Sequence, residues 1–281
     1  MDTVKLLGVD FDDLEVSDVV KILLKRSPEA RFAYVVTPNA DHLARLRQLP
    51  QLRRVYDGAW LRLLDSQMLR RAAEGLGLHA PHVATGADIS AELLDHIPGL
   101  PVAVIGLDPQ HMRELERRYP AQKFMHHVPP KDLLHDPAGF RAARDFAVRA
   151  QAAYTFLAVG SPVQELLAYA IALQPESTGI GLCIGAALEF RAGARTRAPA
   201  WMRSAGLEWL HRLISEPKRL GRRYLLDDPP VLFDLITERF SRTAVRSRPD
   251  QPPRGAPDSN SARDPYRPRQ PEPLHEIPGA R

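Results

Sequence analysis

A single cysteine, Cys183, stands among 281 residues, which excludes an internal disulfide framework. Set in the apolar run GIGLCIG, it reads as a small buried hydrophobe. Nowhere does the chain carry the roughly 20 consecutive apolar residues that span a bilayer. Met1-Asp2-Thr3 leads straight into a strand-like segment with no signal sequence. These absences predict a cytoplasmic chain whose contact with any membrane is peripheral. No GxGxxG opens a helix with an acid at the distance a dinucleotide site needs, and neither a Walker loop nor a G-x-S-x-G elbow is found. No His/Cys/Glu spacing suggests structural zinc. Asp10-Phe11-Asp12 has the outline of a metal-binding acid pair but reads as a turn. His126 and His127, adjacent in a strand, point to opposite faces and do not ligate jointly. There is no internal repeat of fixed period.

What is there is ordinary in bulk: 44% hydrophobic and 26% charged residues, with length enough for a sizeable core. Short apolar runs alternate with amphipathic stretches. Strand candidates are 4–9, 32–37, 61–65, 102–106, 154–160 and 179–185. Helical patterns lie near 17–26, 39–49, 67–77, 109–118, 138–150 and 162–173. This rhythm predicts an α/β fold, a largely parallel Rossmann-like sheet flanked by helices, over residues 1–195. A second regime follows over 196–243, with helix-like pieces at about 200–214, 217–226 and 229–240 set off by Pro217 and Pro229-Pro230, and with Gly206 as a further break. Residues 244–281 hold nine of the 26 prolines and few large aliphatics, so they are predicted to be a disordered tail.

The charge is concentrated. Between Arg195 and Tyr224 there are eight Lys/Arg against Glu208 and Glu216, a local +6 in a chain of net +4. Cations beside Trp201, Trp209 and Tyr224 suit a partner that is anionic and partly apolar, such as a lipid diphosphate at a membrane face. A solvated helical face is the plainer alternative. Nucleic acid is the weakest, because the charge is local and lacks a recognised docking motif.

Open α/β sheets place ligands beyond the carboxyl ends of their strands. Three such ends carry polar residues here. Thr37-Pro38-Asn39 reads as an N-cap, with Thr37 or Asn39 capping and Pro38 in the first turn; free N–H groups at such an end also attract phosphate. Asp65, closing WLRLLD, is either a helix cap or a general base placed at a cleft. In GSPVQE, Gly160 allows close approach of a nucleotide or sugar, while Ser161 and Gln164 form a capping box around Pro162. Weaker turns of the same character contain Thr85-Gly86 and Ile105-Gly106.

Together these pieces resemble the WecG/TagA/CpsF family of bacterial glycosyltransferases. The likeness runs from about Val9 to Leu226 through TPNADHL (37–43), LLD (63–65), TGADI (85–89), VGSPVQE (159–165), IGAALEFRAG (184–193), RAPAWM (197–202) and GLEWLHRLISEPKRLGRRY (206–224). The resemblance implies an inverting transferase that moves an N-acetylmannosamine-type or related hexose. The donor would be a UDP-sugar and the acceptor a sugar linked to polyprenyl diphosphate. The setting would be surface-polysaccharide or exopolysaccharide synthesis at the inner face of the cell membrane, without metal or cofactor. It implies Asp65 as general base. Thr37, Asn39, Thr85, Gly86, Gly106, Gly160, Ser161, Gln164 and Glu165 would line the substrate pocket. Arg212, Lys218, Arg219, Arg222 and Arg223, in a C-terminal appendage docked on an anionic membrane, would contact the lipid diphosphate. An oligomer is compatible with it, and a nucleic-acid partner is not implied.

Three departures stand out. Ser66 follows the aspartate where the family has glycine, Val83 occupies a place the family gives to arginine, and HHVPPKD (126–132) replaces a glycine-rich turn. They motivate an alternative: a catalytically degenerate, membrane-docked scaffold that binds sugar nucleotides.

Overall fold

The computed structural model describes residues 2–199, 201–202, 205–215 and 229–246. The chain opens with an antiparallel hairpin, β1 (Thr3–Leu6) and β2 (Val9–Asp12), joined at Leu7-Gly8. Leu7 and Gly8 both have positive φ, 51° and 75°, the mirror-image turn that suits strand twist. The sequence pattern predicts one strand over 4–9 and a turn at Asp10-Phe11-Asp12, and the structure has a hairpin there instead. Leu7 stands where asparagine would have signalled the reversal, and those acids lie in β2. Asp12 is buried, and its Oδ2 accepts the Arg62 N–H at 2.8 Å. The buried Arg62 side chain donates to the Asp10 and Ala59 carbonyls, stitching the hairpin to the sheet edge.

The main sheet has strand order β4-β3-β8-β7-β5-β6, every pairing parallel. Its strands are β3 (Ala33–Val36), β4 (Leu61–Arg62), β5 (Pro101–Gly106), β6 (Lys123–His127), β7 (Tyr154–Ala158) and β8 (Ile180–Cys183). The interior strands β3, β7, β8 and β5 are buried on both faces and read as unbroken apolar runs, as a sandwiched parallel sheet requires. Edge strand β6, KFMHH, is half-buried and had no such run to mark it.

One helical layer holds α2 (Ala40–Gln48), α3 (Arg53–Asp57), α4 (Gln67–Gly75), α7 (Pro137–Ala150) and α8 (Val163–Ala172), packed with the hairpin around Phe11, Tyr34, Leu69 and Tyr169. The other holds α1 (Val16–Lys25), α5 (Gly86–His96), α6 (Pro109–Arg118) and α9 (Ala187–Arg191), around Leu23, Leu93, Phe156 and Leu182. Cys183 is buried, as its apolar surroundings implied. Among the described residues, two longer helices follow, α10 (Glu208–Ser215) and α11 (Pro229–Arg246). Gly206, at φ +72°, turns the chain just before α10. Val231 and Leu235 of α11 are buried in the first layer. The helix runs three residues past the boundary read at 243, and the rest of the tail lies outside the described residues. Among the described residues no helix is long and apolar enough to cross a membrane.

Gly106 closes β5 at φ +94°, and a Cβ there would sit 2.6 Å from the Ala158 carbonyl oxygen. Left-handed strain and a backbone clash act together, so Gly106→Ala is expected to cost roughly 2–4 kcal/mol of unfolding free energy. The check is the urea midpoint, and a midpoint equal to wild type would show that the turn yields freely.

Candidate active site

Strands β7 and β8 are hydrogen-bonded neighbours, yet the chain leaves them on opposite sides of the sheet. After β7 it enters α8 in one layer, and after β8 it enters α9 in the other. A gap must open at their carboxyl ends. Gly160 (φ +79°) and Gly185 (φ +54°) stand at the two departures, in backbone conformations that side chains resist. The resulting cavity has a volume of about 760 Å³.

Thr37 and Asn39 reach it from the end of β3. Asn39 is the N-cap of α2, accepting the His42 N–H at 3.4 Å. The helix begins at Ala40, so Pro38 lies before the cap rather than in the first turn. The Thr37 hydroxyl donates to the Cys183 carbonyl at 3.2 Å, tying β3 to β8. His42 and Arg45 fall three and six residues after the cap, on the cavity side of α2, and both line it. Arg45 pairs with Asp41 at 2.8 Å and donates to the Ser161 hydroxyl at 2.7 Å. The spacing DHLAR held this signal; it was read only as an amphipathic stretch.

Asp65 lines the cavity from the corner after β4. The choice between cap and base is decided locally. Ser66, not Asp65, caps α4, accepting the Leu69 N–H at 3.2 Å. Ser66 therefore puts to use the position that glycine holds in the resemblance. The Asp65 N–H donates to the Pro38 carbonyl at 2.9 Å, and its Oδ2 accepts the Gly86 N–H at 3.3 Å. Asp65 is thus held between the β3 corner and the first turn of α5.

That first turn is itself clamped. Thr85 caps α5 through Asp88, and Arg197 forks onto Asp88 with contacts of 2.6 and 2.9 Å, also donating to the Thr85 hydroxyl at 3.2 Å. The carboxylate pair raises the Arg197 pKa against the opposing effect of burial. Two-point recognition of this kind is strong for its area. Nothing in the sequence pattern linked Arg197 to Asp88.

The capping box expected at Ser161 and Gln164 is not formed. Pro162 occupies the cap position of α8 without a side-chain cap, and the Ser161 hydroxyl turns to Arg45. The Gln164 side chain crosses the gap instead: Oε1 accepts the Gly185 N–H at 2.9 Å, and Nε2 donates to Glu165 Oε1 at 2.7 Å. Glu165 is 1% exposed, behind Gln164. Burial pushes its pKa up, but contact with His42 outweighs this, with Gln164 and Ser161 in support, so the group sits below the usual glutamate range.

Of the residues singled out in sequence, Thr37, Asn39, Asp65, Thr85, Gly160, Ser161 and Gln164 line one cavity. Gly86 touches it only through its N–H to Asp65, Glu165 lies behind it, and Gly106 is not among its walls. Gly106 is accounted for by packing at the sheet edge, where its carbonyl is 2.7 Å from His126 Nε2. The second regime supplies part of the rim: Thr196, Glu208, His211 and Ser215 line the cavity beside Arg195. Trp209, Leu210 and Leu213 of α10 are half-buried, whereas Ile214 is 69% exposed. Arg212 lies on α10, its side chain outside what is described, and Lys218, Arg219, Arg222 and Arg223 lie outside the described residues.

The profile of the glycosyl transferase WecG/TagA/CpsF family matches residues 4–245. Similar proteins from Staphylococcus aureus strains MW2, NCTC 8325 / PS 47 and COL are each 27% identical over 229 residues, covering 78% of this chain and 87% of theirs. Each is named N-acetylglucosaminyldiphosphoundecaprenol N-acetyl-beta-D-mannosaminyltransferase.

Because the Glu165 pKa is lowered in the fold from 4.5, its charge contributes stability above about pH 4.5 that is lost as pH falls through the lowered value. Glu165→Gln mimics the protonated form. The stability gap between wild type and this variant is expected to be widest near neutrality and to narrow on acidification, as read by urea unfolding at several pH values. A gap that widens at low pH would reverse the assignment.

Proposed function

The chain belongs to the WecG/TagA/CpsF family of glycosyl transferases, and on that footing we propose that it transfers a hexose of the N-acetylmannosamine type from a UDP donor to a sugar carried on polyprenyl diphosphate. The names of the Staphylococcus aureus relatives support this acceptor class. The observation that carries the reading is the division of labour at Asp65-Ser66: serine caps the helix, and the carboxylate faces the cavity.

In this reading the acceptor hydroxyl approaches the donor's anomeric carbon from the Asp65 side. The carboxylate takes the hydroxyl proton as the new C–O bond forms. The bond to the diphosphate breaks on the opposite face, UDP leaves with its electron pair, and the configuration inverts. Negative charge grows on the leaving diphosphate. The cavity meets it with the N-terminal ends of α2 and α8 and the guanidinium groups of Arg45 and Arg195. Thr37, Asn39 and Gln164 orient the donor, and the transfer draws on no metal or cofactor.

The basic stretch suits the acceptor's diphosphate and an anionic membrane at the cytoplasmic face, in assembly of a cell-surface polymer. α10 brings Glu208, His211 and Ser215 to the rim, so the described part of that stretch reaches the cavity edge.

With a radiolabelled UDP-sugar panel and a lipid-linked acceptor, Asp65→Asn is expected to lower turnover by roughly 100-fold or more, the scale of a lost general base. Equal turnover would remove Asp65 from its role. Liposomes containing anionic lipid are expected to sediment the full chain, and removal of residues 196–281 to abolish this. Undiminished sedimentation by the shortened protein would end the membrane assignment.

A further inference from the structure

A carboxylate at 1% exposure is costly to bury, and an apolar residue of similar volume often serves a core as well or better. Glu165 also holds one oxygen, Oε2, that is buried with no hydrogen bond of its own. Packing alone does not account for glutamate at this position. Its other oxygen, Oε1, meets two partners that both lead to the cavity.

The first is Gln164. Its amide is fixed at both ends, nitrogen to Glu165 Oε1 at 2.7 Å and oxygen to the Gly185 N–H at 2.9 Å. Without the carboxylate, the amide loses the acceptor that decides which way round it sits. The second is His42. Its Nε2 is 3.5 Å from Oε1, and its Nδ1 is 2.7 Å from Asn39 Oδ1. The Asn39 N–H also donates to Nδ1 at 3.3 Å, so the ring closes the α2 cap while Glu165 bounds its far side. Asn39 Oδ1 is thereby committed to His42, which fixes the plane and sense of the Asn39 amide.

We propose that Glu165 is a positioning residue: from beneath the cavity it sets the orientation of Gln164 directly and of Asn39 through His42. The proposal rests on the reading that Asn39 and Gln164 face the donor, and it removes Glu165 itself from contact with substrate. Two walls of the cavity, the α2 cap and the α8 entrance, are aligned by one buried charge. His42 is then a link in that alignment as well as a wall residue.

The test uses the full chain and UDP as the probe, with calorimetric affinity and steady-state kinetics measured in parallel. Glu165→Leu removes the Gln164 hydrogen bond and the His42 contact and is expected to weaken UDP binding by roughly tenfold or more, an amount one lost polar alignment supplies. The donor KM rises while the acceptor KM stays unchanged. Glu165→Gln keeps an acceptor oxygen where Oε1 stands and is expected to hold affinity within about threefold of wild type. In an Asn39→Ala, Gln164→Ala background, Glu165→Leu should cost less than about twofold further, because the groups it acts through are gone.

An equal loss in both backgrounds, or a glutamine variant as weak as leucine, would make Glu165 a merely structural residue and overturn the proposal. If Glu165→Leu does not fold, His42→Leu severs the Asn39 branch alone and is read in the Asn39→Ala background by the same criterion. Wild-type UDP binding with an unaffected Glu165→Leu sinks the positioning role only. A wild type that neither binds UDP nor transfers sugar sinks the donor reading, and this proposal with it.

Discussion

Hydrogen bonding between β7 and β8 fixes the spacing of two strands whose continuations are buried in different helical layers. The helices cannot both stay above the strand ends, so the sheet carries a gap there. Gly160 and Gly185 let the backbone turn away on either side without a side chain across the opening. Every polar group of the cavity is then arranged around that gap. Thr37 spans from β3 to the β8 end, Gln164 bridges from α8 to the Gly185 amide, and Thr85 and Asp65 close the side nearest β4. Packing in the two layers, around Tyr169 on one side and Phe156 on the other, holds the gap open.

At such strand ends the same residue types serve two purposes, since a short polar side chain that caps a helix is also one that meets a ligand. The structure divides these duties. Asn39 and Thr85 do both, capping α2 and α5 and lining the cavity. At the third corner the duties fall on neighbours, with Ser66 for the helix and Asp65 for the cavity. A glycine at 66 would leave the first amides of α4 without that cap, so the departure from the family pattern strengthens the helix that fixes the aspartate's corner. At the fourth corner, Pro162 without a side-chain cap leaves Ser161 and Gln164 to long-range partners.

The parallel sheet was legible because interior strands such as AYVV and YTFLA carry unbroken apolar runs, which few other settings tolerate. The hairpin was not, because Leu7 in a left-handed turn gives no local signal. Edge strand β6 was missed for want of burial. At the site, the strand-end positions Thr37, Asn39, Asp65 and Gln164 could be read from sequence, since topology alone sends strand ends to one side. Contacts between distant segments could not. Arg197 on Asp88 joins residues 109 apart, and Arg45 on Ser161 joins residues 116 apart. Ser161 in particular was assigned to a cap by its neighbours in sequence, whereas its hydroxyl answers to a guanidinium from another helix. Gly106 shows the converse error: a glycine at a strand end can be demanded by its neighbour strand rather than by a ligand.

The Arg197 clamp gives the second regime a consequence inside the first. Arg197 stands where the chain leaves the α/β unit, and it grips the first turn of α5, whose Gly86 N–H reaches the Asp65 carboxylate. The order of that carboxylate therefore depends on how the departing chain is seated. Seating is secured again further on, where α11 buries Val231 and Leu235 against the first layer. There Arg47 pairs with Asp234 at 2.7 Å, and Glu238 accepts the Leu7 N–H at 2.8 Å. Between these two anchors lie six of the eight basic residues of the Arg195–Tyr224 stretch. In the proposed reading the basic stretch meets the acceptor's diphosphate, and Arg197 joins that stretch to the corner that holds the aspartate.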